Sequence, residues 1–148
     1  MNCNLQQPDY VKIAFFRNKI ITWFARNARP FPWRKKECSA YEIIIGEMLL
    51  QRTRAEVVAQ FFPSFLREYP SWRSLASAKE EKLKEFLKPL GLWERRSVAL
   101  ISLANSVLQR GGELPATREE LESLPGIGQY IANAILTFCY DKREPLLD

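Results

Sequence analysis

The sequence predicts an all-α protein. Four S/T-x-x-E capping boxes precede apolar runs, and between them apolar residues recur every three or four positions; no segment shows the period-two alternation of a half-buried strand. Each element then follows in order. Asp9 caps a first helix in which Ile13, Phe16, Ile20 and Phe24 share a broad apolar face, ending near Asn27. Two prolines break the pattern in Arg29-Pro30-Phe31-Pro32-Trp33-Arg34-Lys35-Lys36, a basic and aromatic loop. The box Ser39-Ala40-Tyr41-Glu42 opens the most apolar helix, Ile43 to Leu50. The box Thr53-Arg54-Ala55-Glu56 opens the next, through Val57, Val58, Phe61 and Phe62, which Pro63 is expected to kink or restart.

The third box, Ser77-Ala78-Lys79-Glu80, precedes Leu83, Phe86 and Leu87, and Gly91 closes that helix. A helix from about Glu94 to Gln109 is expected to turn Val98, Ile101, Ala104 and Leu108 inward, with Gly111-Gly112 ending it. The fourth box, Thr117-Arg118-Glu119-Glu120, starts a short helix that feeds a Gly126–Gly128 turn. A last helix carries Ile131, Ala134, Ile135 and Phe138. There is no repeat or low-complexity tract.

Composition bounds the function. A chain of 148 residues with 47% hydrophobic content can bury a core as one domain or two small ones. The balance of 22 Lys+Arg against 17 Asp+Glu gives a net charge of +5 and a pI near 9.2, which favours an anionic partner. Histidine is absent, so acid–base chemistry falls to carboxylates, Lys, Tyr or Cys. Cys3, Cys38 and Cys139 form no C-x-x-C, so neither a disulfide scaffold nor a complete metal site is encoded, and a reduced, intracellular setting is expected. The N-terminus lacks a signal-peptide core and no stretch is long enough to cross a bilayer.

Several residues carry candidate chemistry. In Leu124-Pro125-Gly126-Ile127-Gly128-Gln129-Tyr130 the two glycines allow a tight turn with Ile127 tucked beneath it, opening a helix whose free N–H groups suit a phosphate; an ordinary interhelical turn fits the spacing as well. Glu47 interrupts an apolar helix. It reads either as a rim glutamate paired with Arg54 or as a general acid, its pKa raised by Ile43, Ile44 and Leu50. Gln51, Arg52 and Thr53 at that helix end either project into a duplex or simply solvate and cap. Trp33 and Arg34, with Lys35 and Lys36, either stack on a base and bind phosphate or pack the loop on the core. Trp93 with Arg95 and Arg96 presents the same choice, and Tyr130 reads equally as a core aromatic.

Taken in order, FPWR at 31–34, GEMLLQRT at 46–53, GLW at 91–93, LPGIGQYIANAIL at 124–136 and PLLD at 145–148 resemble the helix-hairpin-helix DNA glycosylases of the endonuclease III superfamily. The nearest branch holds MutY-type adenine glycosylases and archaeal-type mismatch thymine glycosylases. The resemblance covers about residues 28 to 148. It implies a six-helix barrel domain over 28–148, with the helix-hairpin-helix at 118–140. Residues 1–27 would supply the N-terminal helix of an incomplete second, cluster-type domain whose C-terminal partner helices are missing.

The resemblance also implies roles. Gly126, Ile127, Gly128 and Gln129 would hold one DNA strand through backbone amides, with a monovalent cation on the hairpin carbonyls. Asp148 matches the catalytic aspartate, and Glu47 the glutamate of adenine- and thymine-removing members. Gln51, Arg52 and Thr53 match the helix end that wedges into the gap left by a flipped base, Arg52 being nearer the thymine type. Tyr130 stands where bifunctional members place a Schiff-base lysine, which implies a monofunctional enzyme without lyase activity and tilts toward thymine.

The function implied is base excision repair by hydrolysis of the N-glycosidic bond of a mispaired base, thymine from T·G or adenine from A·G or A·8-oxoG. The expected partner is double-stranded DNA bearing the mispair or damaged base, bound by a monomer in the cytoplasm and nucleoid, or in a eukaryotic nucleus. Relatives continue past the aspartate with four cysteines for a 4Fe-4S cluster, which this chain does not encode. The chain is therefore expected to be a truncated or partial form with impaired activity. A non-catalytic helix-hairpin-helix DNA-binding module is the alternative, and a helical interaction domain without DNA affinity a third.

Overall fold

The computed structural model describes residues 9–146; Leu147 and Asp148 lie outside them, as do residues 1–8 with Cys3. The chain divides into two compact units, Met1–Pro30 and Phe31–Asp148. In the first, helix α1 spans Tyr10–Asn27 and starts where Asp9 accepts a hydrogen bond from Lys12 N at 3.1 Å. Its apolar side chains, among them Ile13, Phe16, Ile20 and Phe24, are exposed.

The second unit contains α2 (Ala40–Leu50), α3 (Ala55–Glu68), α4 (Trp72–Ala76), α5 (Glu80–Leu87), α6 (Trp93–Gln109), α7 (Arg118–Glu122) and α8 (Gln129–Tyr140), with 3-10 turns at Pro32–Arg34 and Lys88–Leu90. No strand occurs among the described residues, and no helix there is long and apolar enough to cross a membrane. Helix α2 runs through the centre, since Tyr41 and Ile43 to Leu49 are all buried, and it packs on α3, α6, α8 and the Trp33 turn. A helix apolar on every side needs neighbours on every side. Gly46 admits one of them: a Cβ there would stand 2.7 Å from the Trp33 Cβ. Around α2, α6 packs on α4 and α5, and α7 packs on α8 through the residue 123–128 turn.

The capping boxes divide. Ser39 and Glu42 cap each other at α2 as their spacing predicts, with Ser39 N donating to Glu42 Oε2 at 2.7 Å. At α7 the Thr117 hydroxyl accepts from Glu120 N. The other two spacings form no box: α3 and α5 start at Arg54 and Lys79 without side-chain caps, Thr53 being bonded to Leu90 O and Ser77 serving as the C-cap of α4. The short α4, unforeseen from the sequence, begins at a reciprocal Ser71–Ser74 box instead.

Pro63 neither breaks nor restarts α3, which runs through it. In α6 the inward face is Arg96, Leu100, Leu103, Ala104 and Val107; Val98, expected inside, is 49% exposed. The inward stripe is therefore set one residue earlier, rotated about 100° from the one the Val98 reading assumed.

Candidate active site

Glu47 is the anomaly of the core. Its side chain is fully buried on α2 among isoleucines and leucines. The expected partner, Arg54, is instead exposed at the α3 N-terminus; the cation that meets the carboxylate is Arg34, whose Nη2 lies 2.8 Å from Oε1. That contact is an ion pair, and neither carboxylate oxygen accepts a hydrogen bond from the described residues. Burial pushes the Glu47 carboxyl above the usual glutamate range, and the charge of Arg34 pulls partly against it.

Arg34 is held from both sides. Its guanidinium sits 4.1 Å from the centre of the Phe138 ring of α8, a cation–π contact that fixes the plane facing Glu47. Backbone geometry brings it there, because Pro32 opens a 3-10 turn that buries Trp33 and turns the next residue outward. Trp33 itself is 2% exposed, stacked on Phe31 at 5.0 Å and edge-on to Phe62. The suggested base-stacking role is corrected: no ring face is left for a base, because filling the gap beside Gly46 consumes it.

The hairpin lies against the end of α2. Leu124 and Ile127 are buried, Gly126, Gly128 and Gln129 are exposed, and Tyr130 is half-buried against the core. Gly126 has φ +78°, a conformation that favours glycine, and a Cβ there would meet Met48 Cε at 2.7 Å, so the methionine end would have to shift. Gly128 has φ −97° and open space where a Cβ would go. The α8 N-terminus it caps has no side-chain cap, which leaves N–H donors pointing outward at the positive end of the helix. Gln51 Nε2 donates to Gly126 O at 3.2 Å, tying the end of α2 to the hairpin.

Beside that tie opens a cleft of about 550 Å³, lined by Gln51, Arg52, Leu92, Arg95, Arg96 and Gly126. Arg52 sits at φ +54°, exposed and unpaired among the described residues. Thr53 does not face the cleft's solvent. Its hydroxyl donates to Leu90 O at 3.2 Å and accepts from Arg96 Nη2 at 3.0 Å, tying the end of α2 to α6.

Arg96 is 5% exposed and bonds Gly91 O at 2.6 Å and Gln51 O at 2.8 Å, with longer contacts to Leu90 O and Leu49 O. It is a strut rather than a phosphate contact. The signal was present in the sequence: residues 96, 100, 103 and 107 fall on one helical stripe.

Asp148 lies outside the described residues. The segment leading to it is anchored: Lys142 N donates to Leu136 O at 2.9 Å, Arg118 pairs with Glu144, and Asn133 Nδ2 donates to Pro145 O at 2.8 Å. No group of three or more His, Cys, Asp or Glu able to hold a metal ion occurs among the described residues. Cys38 instead donates to Pro32 O and Cys139 lies in α8. The described residues therefore do not fit an iron–sulfur cluster.

The sequence model of the HhH-GPD superfamily of base excision DNA repair proteins matches residues 45–144. A thymine-DNA glycosylase of Aeropyrum pernix is 37% identical over 142 residues, covering 95% of this chain and 63% of that protein. An adenine DNA glycosylase of Rattus norvegicus is 28% identical over 95% of this chain and 29% of its own length. The solved structure of a thermostable thymine-DNA glycosylase superposes with a TM-score of 0.84 at 28% identity, covering 91% of this chain and 62% of that one. The chain thus spans about three fifths of the thymine-type relatives it matches.

Proposed function

The chain belongs to the HhH-GPD superfamily of base excision DNA repair proteins, and from that premise we propose that it is a monofunctional DNA N-glycosylase that removes thymine mispaired with guanine. Glu47 is the observation that carries the reading. A carboxyl group buried beside one cation, with its pKa raised, is suited to give a proton near neutral pH.

In the proposed reaction the exposed amides of Gly128 and Gln129 hold a phosphate of one strand, and the Gly126 carbonyl keeps a lone pair for a monovalent cation. Gln51 and Arg52 fill the space left when the base leaves the stack, which costs least at a mispair. Glu47 protonates the departing base as the C1′–N bond breaks, and the bonding electrons leave with the base. Asp148 balances the positive charge that develops on the sugar and accepts a proton from the water whose oxygen joins C1′. Tyr130 cannot form a Schiff base, so the product is an intact abasic strand. Support for thymine comes from Tyr130 and from the higher identity to the thymine-type relative, 37% against 28% for the adenine type. One chain acting on DNA as a monomer is the working arrangement.

Duplexes carrying T·G, A·G or A·8-oxoG pairs, incubated with the protein and then treated with alkali, test this. Strand cleavage of the T·G duplex only after alkali is expected. Cleavage before alkali would overturn the monofunctional assignment, and DNA binding without base release would leave a non-catalytic binding module.

A further inference from the structure

Asn133 is a polar residue on an otherwise apolar stretch of α8, between Ile131, Ala132, Ala134 and Ile135, and it is 3% exposed. Its orientation is fixed by chemistry. The Pro145 carbonyl at 2.8 Å can only accept, so the amide nitrogen must face it and Oδ1 must face away. That oxygen is buried and finds no donor among the described residues. One turn further along, on the same stripe, Thr137 Oγ1 is also buried and without a partner. Two orphaned polar atoms on one stripe are costly to keep there without polar partners.

We propose that Asn133 is a positioning residue that fixes where the segment carrying Asp148 leaves the surface of α8. The inference rests on the glycosylase reading of Asp148. Proline has no N–H, so its carbonyl is the sole backbone group by which Pro145 can be held, and Asn133 holds it. Upstream, the Lys142 amide on Leu136 O and the Arg118–Glu144 pair secure residues 142 to 144. Among the described residues, Asn133 makes the tie furthest along the chain. Three residues span at most about 10 Å of extended chain, so the anchor bounds the reach of the Asp148 carboxylate. Because Asn133 shares α8 with the Gly128 cap and Tyr130, the strand-holding end and the aspartate segment are set on one rigid element.

The test uses the full chain with Asn133→Ala and the near-isosteric Asn133→Asp. Three quantities are read between pH 5.5 and 8: single-turnover release of thymine from a T·G duplex, duplex Kd, and hydrogen exchange of the peptide 141–148 relative to its unfolded rate. At pH 7.5 both variants are expected to lose about 10- to 100-fold in release, since a small misplacement of a reacting group costs that much. Kd should stay within about twofold, because neutral or acidic residue 133 does not touch the hairpin amides.

The distinguishing result is a pH profile. In Asn133→Asp the side chain donates to Pro145 O only when protonated, so its rate relative to wild type, and its peptide protection, should recover as pH falls. Asn133→Ala should recover neither. Referring each rate to wild type at the same pH removes the titration of Glu47. Unchanged exchange and unchanged release in both variants would overturn the anchor, as would parallel loss in both at every pH. A wild-type chain that releases no base would overturn the glycosylase reading, while the exchange data still decide whether Asn133 holds the segment.

Discussion

Arg34 Nη2 lies 2.8 Å from Glu47 Oε1, joining a loop guanidinium that is 32% exposed to a carboxylate that is wholly buried. The cation reaches water and the anion does not. Their relationship therefore sets both the proton affinity of Glu47 and what it costs the fold to keep a carboxylate there.

Glu47→Gln should separate stability from activity. Because the carboxyl is held above its ordinary range, the folded protein binds a proton more readily than the unfolded chain. The stabilising effect of that proton is full below the ordinary glutamate range and is lost as pH rises through the folded pKa. The neutral amide should accordingly raise stability at pH 8 by about 0.5–2 kcal/mol, with the gain shrinking toward acid pH. Base release should fall by about 10²- to 10⁴-fold. Thermal melts across pH and single-turnover assays check the two halves.

Arg34→Gln should move the pH dependence of base release. The guanidinium lowers the Glu47 pKa, so its loss raises it further, and a general acid that stays protonated to higher pH works to higher pH. The alkaline limb of the rate profile should shift upward. A limb that stays in place, or moves down, would remove Glu47 as the titrating group.

Arg96→Met should cost about 2–4 kcal/mol, since it strips the carbonyls of Gln51 and Gly91 of a charged donor in a buried place. Chemical denaturation measures this. The loss should be accompanied by a loosened Gln51–Gly126 tie, seen as faster hydrogen exchange around residues 51–53.

Gly126→Ala and Gly128→Ala should fail differently. At Gly126 the left-handed φ and the 2.7 Å approach of Met48 predict a stability loss of about 1–3 kcal/mol. At Gly128 the φ is ordinary and the space open, so stability should stay within about 0.5 kcal/mol. Its cost should appear in duplex affinity, because a methyl group then stands where a phosphate would approach the α8 amides. Melts paired with salt-dependent binding curves distinguish the two.

Helices were legible where local spacing sets their caps and their burial. The Ser39 box and the central α2 follow from local spacing, as does the buried Ile127 beneath two exposed glycines. Thr53 and Ser77 have the same local spacing yet form no box: the Thr53 hydroxyl goes to Leu90 O, and Ser77 is taken up as the C-cap of α4. Ser71–Ser74 shows the reverse, a cap without the glutamate that marks one in sequence.

The sequence by itself determined the all-α class, the tight turn that Gly126 and Gly128 allow and the presence of a carboxylate in the most apolar helix. These are properties of neighbouring residues. Only the tertiary structure decided that Arg34 rather than Arg54 faces Glu47, that Trp33 is core, that Arg96 is a strut and that Asn133 holds Pro145. Each of those depends on which helix ends meet. Spacing along a chain specifies the face a side chain occupies, but the partner across that face is chosen by packing.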